Sequence, residues 1–158
     1  MDKTYHNTGA GNPNFIYVLL ADDDADDRMI FEDAVKELQM NIVFQAVKNG
    51  QELMEFLFEE GIILPHIIFL DLNMPLKNGM KCLEEIRNTS AFSDIFITLY
   101  STTARQSDID EGYAKGSNLF IIKPSSFSVL KKILTEVFTL ERGSYFPNPE
   151  REKFVFRQ

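Results

Sequence analysis

Three short stretches of the chain are apolar almost without interruption: Phe15–Ala21, His66–Leu72 and Ile95–Ser101. Runs of this length and density suit strands buried on both faces of a parallel sheet. Ile42–Val47 and Asn118–Ile122 are weaker candidates of the same kind. Between these runs the apolar period changes. In Asp26–Gln39, Ile30, Ala34 and Leu38 recur every four residues with Phe31 and Val35 beside them. That spacing places one apolar stripe on a helix. Asn49–Glu60 repeats the pattern with Leu53, Met54, Leu57 and Phe58, and Asn78–Asn88 with Met80, Leu83 and Ile86. Ser126–Leu140 carries Val129, Leu130, Ile133, Leu134 and Val137, whereas Thr103–Lys115 is more polar and rests on Ile109 and Tyr113.

Strand and helix therefore alternate five times. Such alternation means right-handed crossovers and a parallel sheet covered by helices on both faces. The expected fold is α/β, a flavodoxin-like (βα)5 doubly wound parallel sheet of strand order 2-1-3-4-5. In sheets of that order, ligands bind beyond the carboxyl ends of the strands, where strands 1 and 3 part. Residues 1–14 read as a flexible polar leader and 15–140 as one domain. Residues 141–158 read as a tail too short for an effector domain. The tail holds Tyr145, Phe146, Phe154 and Phe156 and is expected to pack back on the domain, with a docking role as the other reading.

Composition adds exclusions. The 158 residues are 44% hydrophobic and 25% charged, as in ordinary globular domains. The single cysteine, Cys82, rules out an intramolecular disulfide and fits a reducing compartment. No apolar run is long enough to span a bilayer, and the start lacks the pattern of a signal peptide. A cytoplasmic location is expected. The net charge of −8 weighs against nucleic acid or a membrane surface as a partner.

The strand ends carry the chemistry. Strand 1 runs into Asp22, Asp23 and Asp24, and strand 3 into Asp71. In the 2-1-3-4-5 order these carboxylates converge, and their mutual repulsion calls for a cation. Oxygen ligands in small number suit Mg²⁺. Asp24, Asp26 and Asp27 are read as helix cap, first-turn dipole complement and solvated face. A Ca²⁺ loop is rejected, because Asp27 stands where that loop needs glycine. Asp71 resists a capping explanation, since it ends the apolar run Ile67–Leu70. Lys123 ends strand 5 and offers a compact positive charge, and Pro124 after it predicts a fixed turn, cis or trans. Ser101 closes strand 4 with a hydroxyl. His6 and His66 lie away from this set and are read as solvated or structural.

Taken together, Val18–Asp24, then Phe69-Leu70-Asp71-Leu72-Asn73-Met74-Pro75 with Gly79, then Ser101, then Lys123-Pro124, resemble the response-regulator receiver domain of two-component signalling. The resemblance covers residues 15 to 140. It implies that Asp22 and Asp23 organise Mg²⁺, with Asp23 the more direct ligand. It implies that Asp71 is the phosphoacceptor and also touches the metal, and that the Asn73 carbonyl completes the protein ligands. Ser101 matches the switch hydroxyl, Lys123 the family's lysine and Phe120 the switch aromatic, expected to turn inward on phosphorylation, with a permanently buried core aromatic as the other reading of Phe120. Thr102 and Ser125 depart from the small and the large apolar residues usual at those positions. The implied function is a phosphoacceptor that alters protein–protein contacts and catalyses only its own phosphorylation and slow dephosphorylation. The implied partners are a sensor histidine kinase or histidine phosphotransfer protein and a downstream protein target, with a homodimer left open. A receiver-like module that binds partners without phosphate is the alternative. An aspartate-nucleophile phosphatase reading of Asp22-Asp23-Asp24 leaves Asp71 unexplained.

Overall fold

The computed structural model describes residues 14–103 and 105–157. Most of the expected leader, and Ala104 within the expected fourth helix, lie outside those residues. Five strands form one parallel sheet: β1 (Ile16–Ala21), β2 (Ile42–Val47), β3 (Ile67–Leu70), β4 (Phe96–Ser101) and β5 (Leu119–Ile122). Their order is β2-β1-β3-β4-β5, as expected. Helices α1 (Ala25–Glu37), α2 (Gly50–Leu57), α3 (Gly79–Arg87), α4 (Gln106–Ala114) and α5 (Phe127–Thr139) link and close the strands.

Successive side chains of a strand point to opposite faces, and both faces here are filled. Val18, Leu20, Ile67, Phe69, Phe96 and Ile121 join Phe31 and Ala34 of α1 and Leu134 and Val137 of α5. Leu19, Ile68, Leu70, Ile97, Leu99 and Phe120 join α2, α3 and α4 through Leu53, Leu83, Ile86 and Ile109. Four helices begin at a side-chain cap. Asp24, Asn49, Asn78 and Ser126 each accept from the backbone N–H three residues on. Each such cap satisfies one amide that the helix leaves unpaired.

The fourth helix starts three residues later than its apolar pattern predicts. The hydroxyls of the preceding loop explain the delay. Ser101 Oγ accepts from Thr103 N at 3.3 Å, and Thr103 Oγ1 from Arg105 N at 3.3 Å. These short-range bonds offer the backbone an alternative to the helix.

Two ties hold the amino end of the sheet, and the first of them went unread in the sequence. Arg87 reaches from α3 to the carbonyls of Ile95 and Gly116, at 2.9 and 2.8 Å, and to Asn118 Oδ1 at 2.8 Å. His66 Nδ1 accepts from Tyr17 N at 2.8 Å, which confirms its structural reading. Cys82 is wholly buried, with Sγ 3.6 Å from the Gly50 carbonyl where α2 and α3 meet.

The tail packs back on the domain. A 3-10 turn, Arg142–Tyr145, passes beneath the sheet. Asn118 Nδ2 donates to the Tyr145 carbonyl at 2.9 Å, and the rings of Tyr145 and Phe146 stand edge-on to Phe96. The chain then passes α4, where the Pro149 carbonyl meets the Tyr113 hydroxyl, to a last helical turn, α6 (Arg151–Phe154).

Candidate functional site

Parallel strands deliver all their carboxyl ends to one edge of the sheet, and the register sets what meets there. Ala21 pairs with Leu70, so Asp22 and Asp71, each the next residue, stand side by side. Ser101 pairs with Ile122, so Lys123 follows one step beyond Ser101. Asp22 is completely buried and Asp71 nearly so, whereas Asp23 is exposed.

Lys123 draws the site together. Its Nζ lies 2.7 Å from Asp22 Oδ2, 3.0 Å from Asp27 Oδ2 and 3.3 Å from Asp71 Oδ2. It also stands 5.4 Å from the centroid of the Tyr100 ring, a cation–π distance. Burial works against its charge. The bonds to Asp22 and Asp27 and the field of Asp71 outweigh that and hold the ammonium above the ordinary lysine range. Asp71 shows the opposite balance. Burial raises its carboxyl to about 6 and the Asp22 charge adds to the rise, while Lys123 and the Asn73 amide oppose it. The ionised form of Asp71 is thus costly here unless more positive charge is supplied.

Oxygens of Asp22, Asp23 and Asp71 lie within 4.8 Å of one another. A set of hard carboxylate oxygens, part buried and part open, fits a small divalent cation that keeps several waters. Asn73 sits beside this set, its N–H donating to Asp71 Oδ1 at 3.2 Å.

The expected site residues thus gather at one sheet edge, with corrections. Asp27, read from sequence as cap and solvated face, is an ion-pair partner of Lys123. It lies in the first turn of α1, and that turn starts at the strand end holding Asp22. Phe120, expected either as the switch aromatic or as a permanent core residue, is fully buried in this structure. The cis X-Pro bond among the described residues precedes Pro147, so Lys123–Pro124 is trans. The Ser101 side chain is buried and holds its own loop by accepting from Thr103 N.

Gly79 shapes the site from behind. A Cβ there would come 2.2 Å from the Asp71 carbonyl oxygen and 2.9 Å from Leu72 Cα. The start of α3 packs directly on the backbone that presents Asp71, and Gly79 N donates to the Leu72 carbonyl at 3.0 Å. Gly79→Ala is expected to destabilise the protein by about 1–3 kcal/mol, because backbone must yield. It should also weaken divalent-cation binding, because the Asp71 segment is what yields. Urea unfolding and a metal titration on the same sample measure both. A variant with unchanged metal affinity would mean that the contact is structural only.

The family model for the response regulator receiver domain matches residues 18–135, well over half of the chain. The chain belongs to this family. As a receiver it is a phosphoacceptor response regulator of two-component signalling. Among similar proteins, the response regulator Rcp1 of Synechocystis sp. is 27% identical over 136 residues, covering 82% of this receiver and 92% of its own chain. The phosphorylated cyanobacterial phytochrome response regulator RcpA superposes with a TM-score of 0.72 at 26% identity, over 84% of this chain and 94% of that one. The Mn(2+)-bound form of Rcp1 gives 0.70 at 23% identity over 83% and 93%, a likeness of fold. A protein-glutamate methylesterase/protein-glutamine glutaminase of Methanococcoides burtonii is 30% identical over 135 residues. The receiver spans 84% of its own length in that match but only 37% of the methylesterase.

Proposed function

We propose that Asp71 is the phosphoacceptor of this receiver, served by Mg²⁺ and Lys123. The observation that carries the reading is the placement of Lys123 Nζ between Asp22 and Asp71 at the ends of three strands. A carboxylate oxygen of Asp71 attacks the phosphorus of the donor. The bond from phosphorus to the donor's nitrogen or oxygen breaks, and an aspartyl phosphate remains. Negative charge accumulates on the phosphoryl oxygens as this happens. Lys123 meets one of them from the position it already holds, and the Ser101 hydroxyl, released from Thr103 N, donates to another. Asp22, Asp23, Asp71 and the Asn73 carbonyl would hold Mg²⁺, which supplies the charge that lets carboxylate and phosphoryl group approach. Water attack on the same phosphorus returns free Asp71, so the protein catalyses its own slow dephosphorylation.

The donor is a phosphohistidine on a sensor histidine kinase or a histidine phosphotransfer protein, or a small phosphodonor. Apolar side chains stand exposed at this end of the sheet: Met29 and Ile30 on α1, Leu76 after β3 and Phe127 at the start of α5. They support protein contact as the route of phosphoryl entry. Output passes to a downstream protein target. The compartment is the cytoplasm. No helix among the described residues is long and apolar enough to cross a membrane.

Incubation of the whole chain with Mg²⁺ and acetyl phosphate tests the reading. Intact-mass analysis should show a gain of one phosphoryl group, mapped to Asp71 and prevented by EDTA. Phosphate mapped to another residue, or no gain under any donor, would overturn it. Continuous turnover of the donor without a lasting mass gain would point to a phosphatase.

A further inference from the structure

The Lys123 ammonium has three N–H donors, and it meets three carboxylates. The contacts are unequal. Asp22 and Asp27 accept at 2.7 and 3.0 Å, and Asp71 at 3.3 Å. Further bonds fix the two nearer acids to each other. Asp24 N donates to Asp22 Oδ1 at 3.0 Å, and Asp27 N donates to Asp24 Oδ1 at 3.0 Å. Arg28 Nη1 donates to the Asp22 carbonyl at 2.8 Å and ties the first turn of α1 to the end of β1. A closed ring of bonds thus runs from Lys123 through Asp22, Asp24 and Asp27 back to Lys123. Asp24 caps the helix and, in doing so, sets where the Asp27 carboxylate stands.

The two acids that hold the lysine differ in what else they serve. Asp22 belongs with Asp23 and Asp71 to the carboxylate set that suits a cation. Its charge is divided when a cation is held there. Asp27 lies outside that set, and its charge stays with the lysine. It also stands at the rim, its side chain 39% exposed against 9% for Lys123. A pair with one partner so exposed adds little stability. Direction is a separate effect. Two anchored donors hold a stem of many rotamers in one arrangement, and they leave the third donor facing Asp71 Oδ2.

We propose that Asp27 is a positioning residue for phosphoryl transfer: it anchors the Lys123 ammonium from the rim so that one N–H is aimed at the phosphoryl group on Asp71. The inference rests on the reading of Asp71 as the phosphoacceptor. Asp27 acts through Lys123 and not on the reacting atoms. It keeps the ammonium oriented while Asp22 is shared, so the lysine needs no rearrangement as charge gathers on the phosphoryl oxygens.

The test follows phosphorylation of the full chain by acetyl phosphate with Mg²⁺, by intact mass, over a range of donor concentrations. Asp27→Ala removes the anchor. Alanine suits a helix, and the amide at this position keeps its bond to Asp24, so α1 stays capped. The plateau rate should fall about tenfold. The donor concentration giving half that rate should not rise, because an anion has left the rim. Asp27→Asn, which keeps an acceptor oxygen without the charge, should recover most of the lost rate. A second readout needs neither donor nor metal. In the metal-free chain labelled with ¹⁵N-lysine, the Lys123 ammonium is identified by its loss in Lys123→Met. Its signal should be resolved in wild type and in Asp27→Asn and should broaden away in Asp27→Ala. An unchanged plateau rate in Asp27→Ala, faster phosphorylation in both variants, no better rate in Asp27→Asn than in Asp27→Ala, or an ammonium signal indifferent to the alanine would overturn the proposal while wild-type phosphate still maps to Asp71. Wild-type phosphate mapped to another residue would overturn the Asp71 reading, and this inference with it.

Discussion

Asp71→Asn will abolish phosphorylation by acetyl phosphate or a kinase and will stabilise the metal-free protein at neutral pH. The first effect follows from chemistry: an amide oxygen is too weak a nucleophile to take the phosphoryl group. The second follows from linkage. Burial lifts the Asp71 carboxyl from an ordinary 3.8 to about 6 in the folded protein. Between those values the folded state holds a proton that the unfolded chain has released, so stability falls as pH rises through the interval. Above pH 6 the full penalty of the ionised form is present, on the order of 1–3 kcal/mol. The neutral amide escapes it. The variant's advantage should therefore be small at pH 4, grow up to pH 6 and level off above. Mg²⁺ should shrink it by favouring the wild-type carboxylate. Urea unfolding with EDTA across this pH range measures the profile. A variant as unstable as wild type at pH 7 would show that Asp71 is not strained by its surroundings, and a phosphorylated variant would remove Asp71 from the acceptor role.

Lys123→Met is expected to cost the metal-free protein about 3–5 kcal/mol, the scale for removing one partner of a buried ion pair. Methionine keeps most of the unbranched side chain, so the loss is mainly one of charge. Asp22, with no exposed surface, and Asp71 would then face each other without a cation, and Asp27 would lose its partner. Millimolar Mg²⁺ should recover more stability in the variant than it adds to wild type, because the metal then supplies the nearest positive charge. Denaturation with and without Mg²⁺ gives both numbers. A loss below about 1 kcal/mol would mean that Lys123 is solvated and its three contacts are weak, as exposed pairs are.

The fold was legible because its main signal is local. A doubly covered parallel strand must be apolar on both faces, and Ile67–Leu70 shows that without help from the rest of the chain. Asp71 was legible for the complementary reason, as a carboxylate that ends such a run. Asp27 was not. Its role depends on a lysine 96 positions away, and within its own helix it looks like any acidic first-turn residue. Phe154 was visible as an apolar residue in a polar tail, but nothing nearby in sequence says that its ring is buried beside Tyr113 and Phe120. The late start of α4 is a conflict between two local signals. Apolar spacing extends the helix back to Thr103, while the hydroxyls of Ser101 and Thr103 bond to the backbone and win.

The site of Cys82 has a practical consequence. Burial between α2 and α3 pushes its thiol up to about 11. Near pH 7.5, roughly one molecule in a few thousand would carry the reactive thiolate, and that one is enclosed by packed side chains. The native thiol should therefore stay silent toward maleimides while the protein is folded. A cysteine introduced at exposed Glu152, beside the buried Phe154, can then carry a fluorophore at a single defined position, with Cys82 left in place. Slow labelling of Cys82 would in turn time the opening of the α2–α3 contact, giving two clocks from one chain.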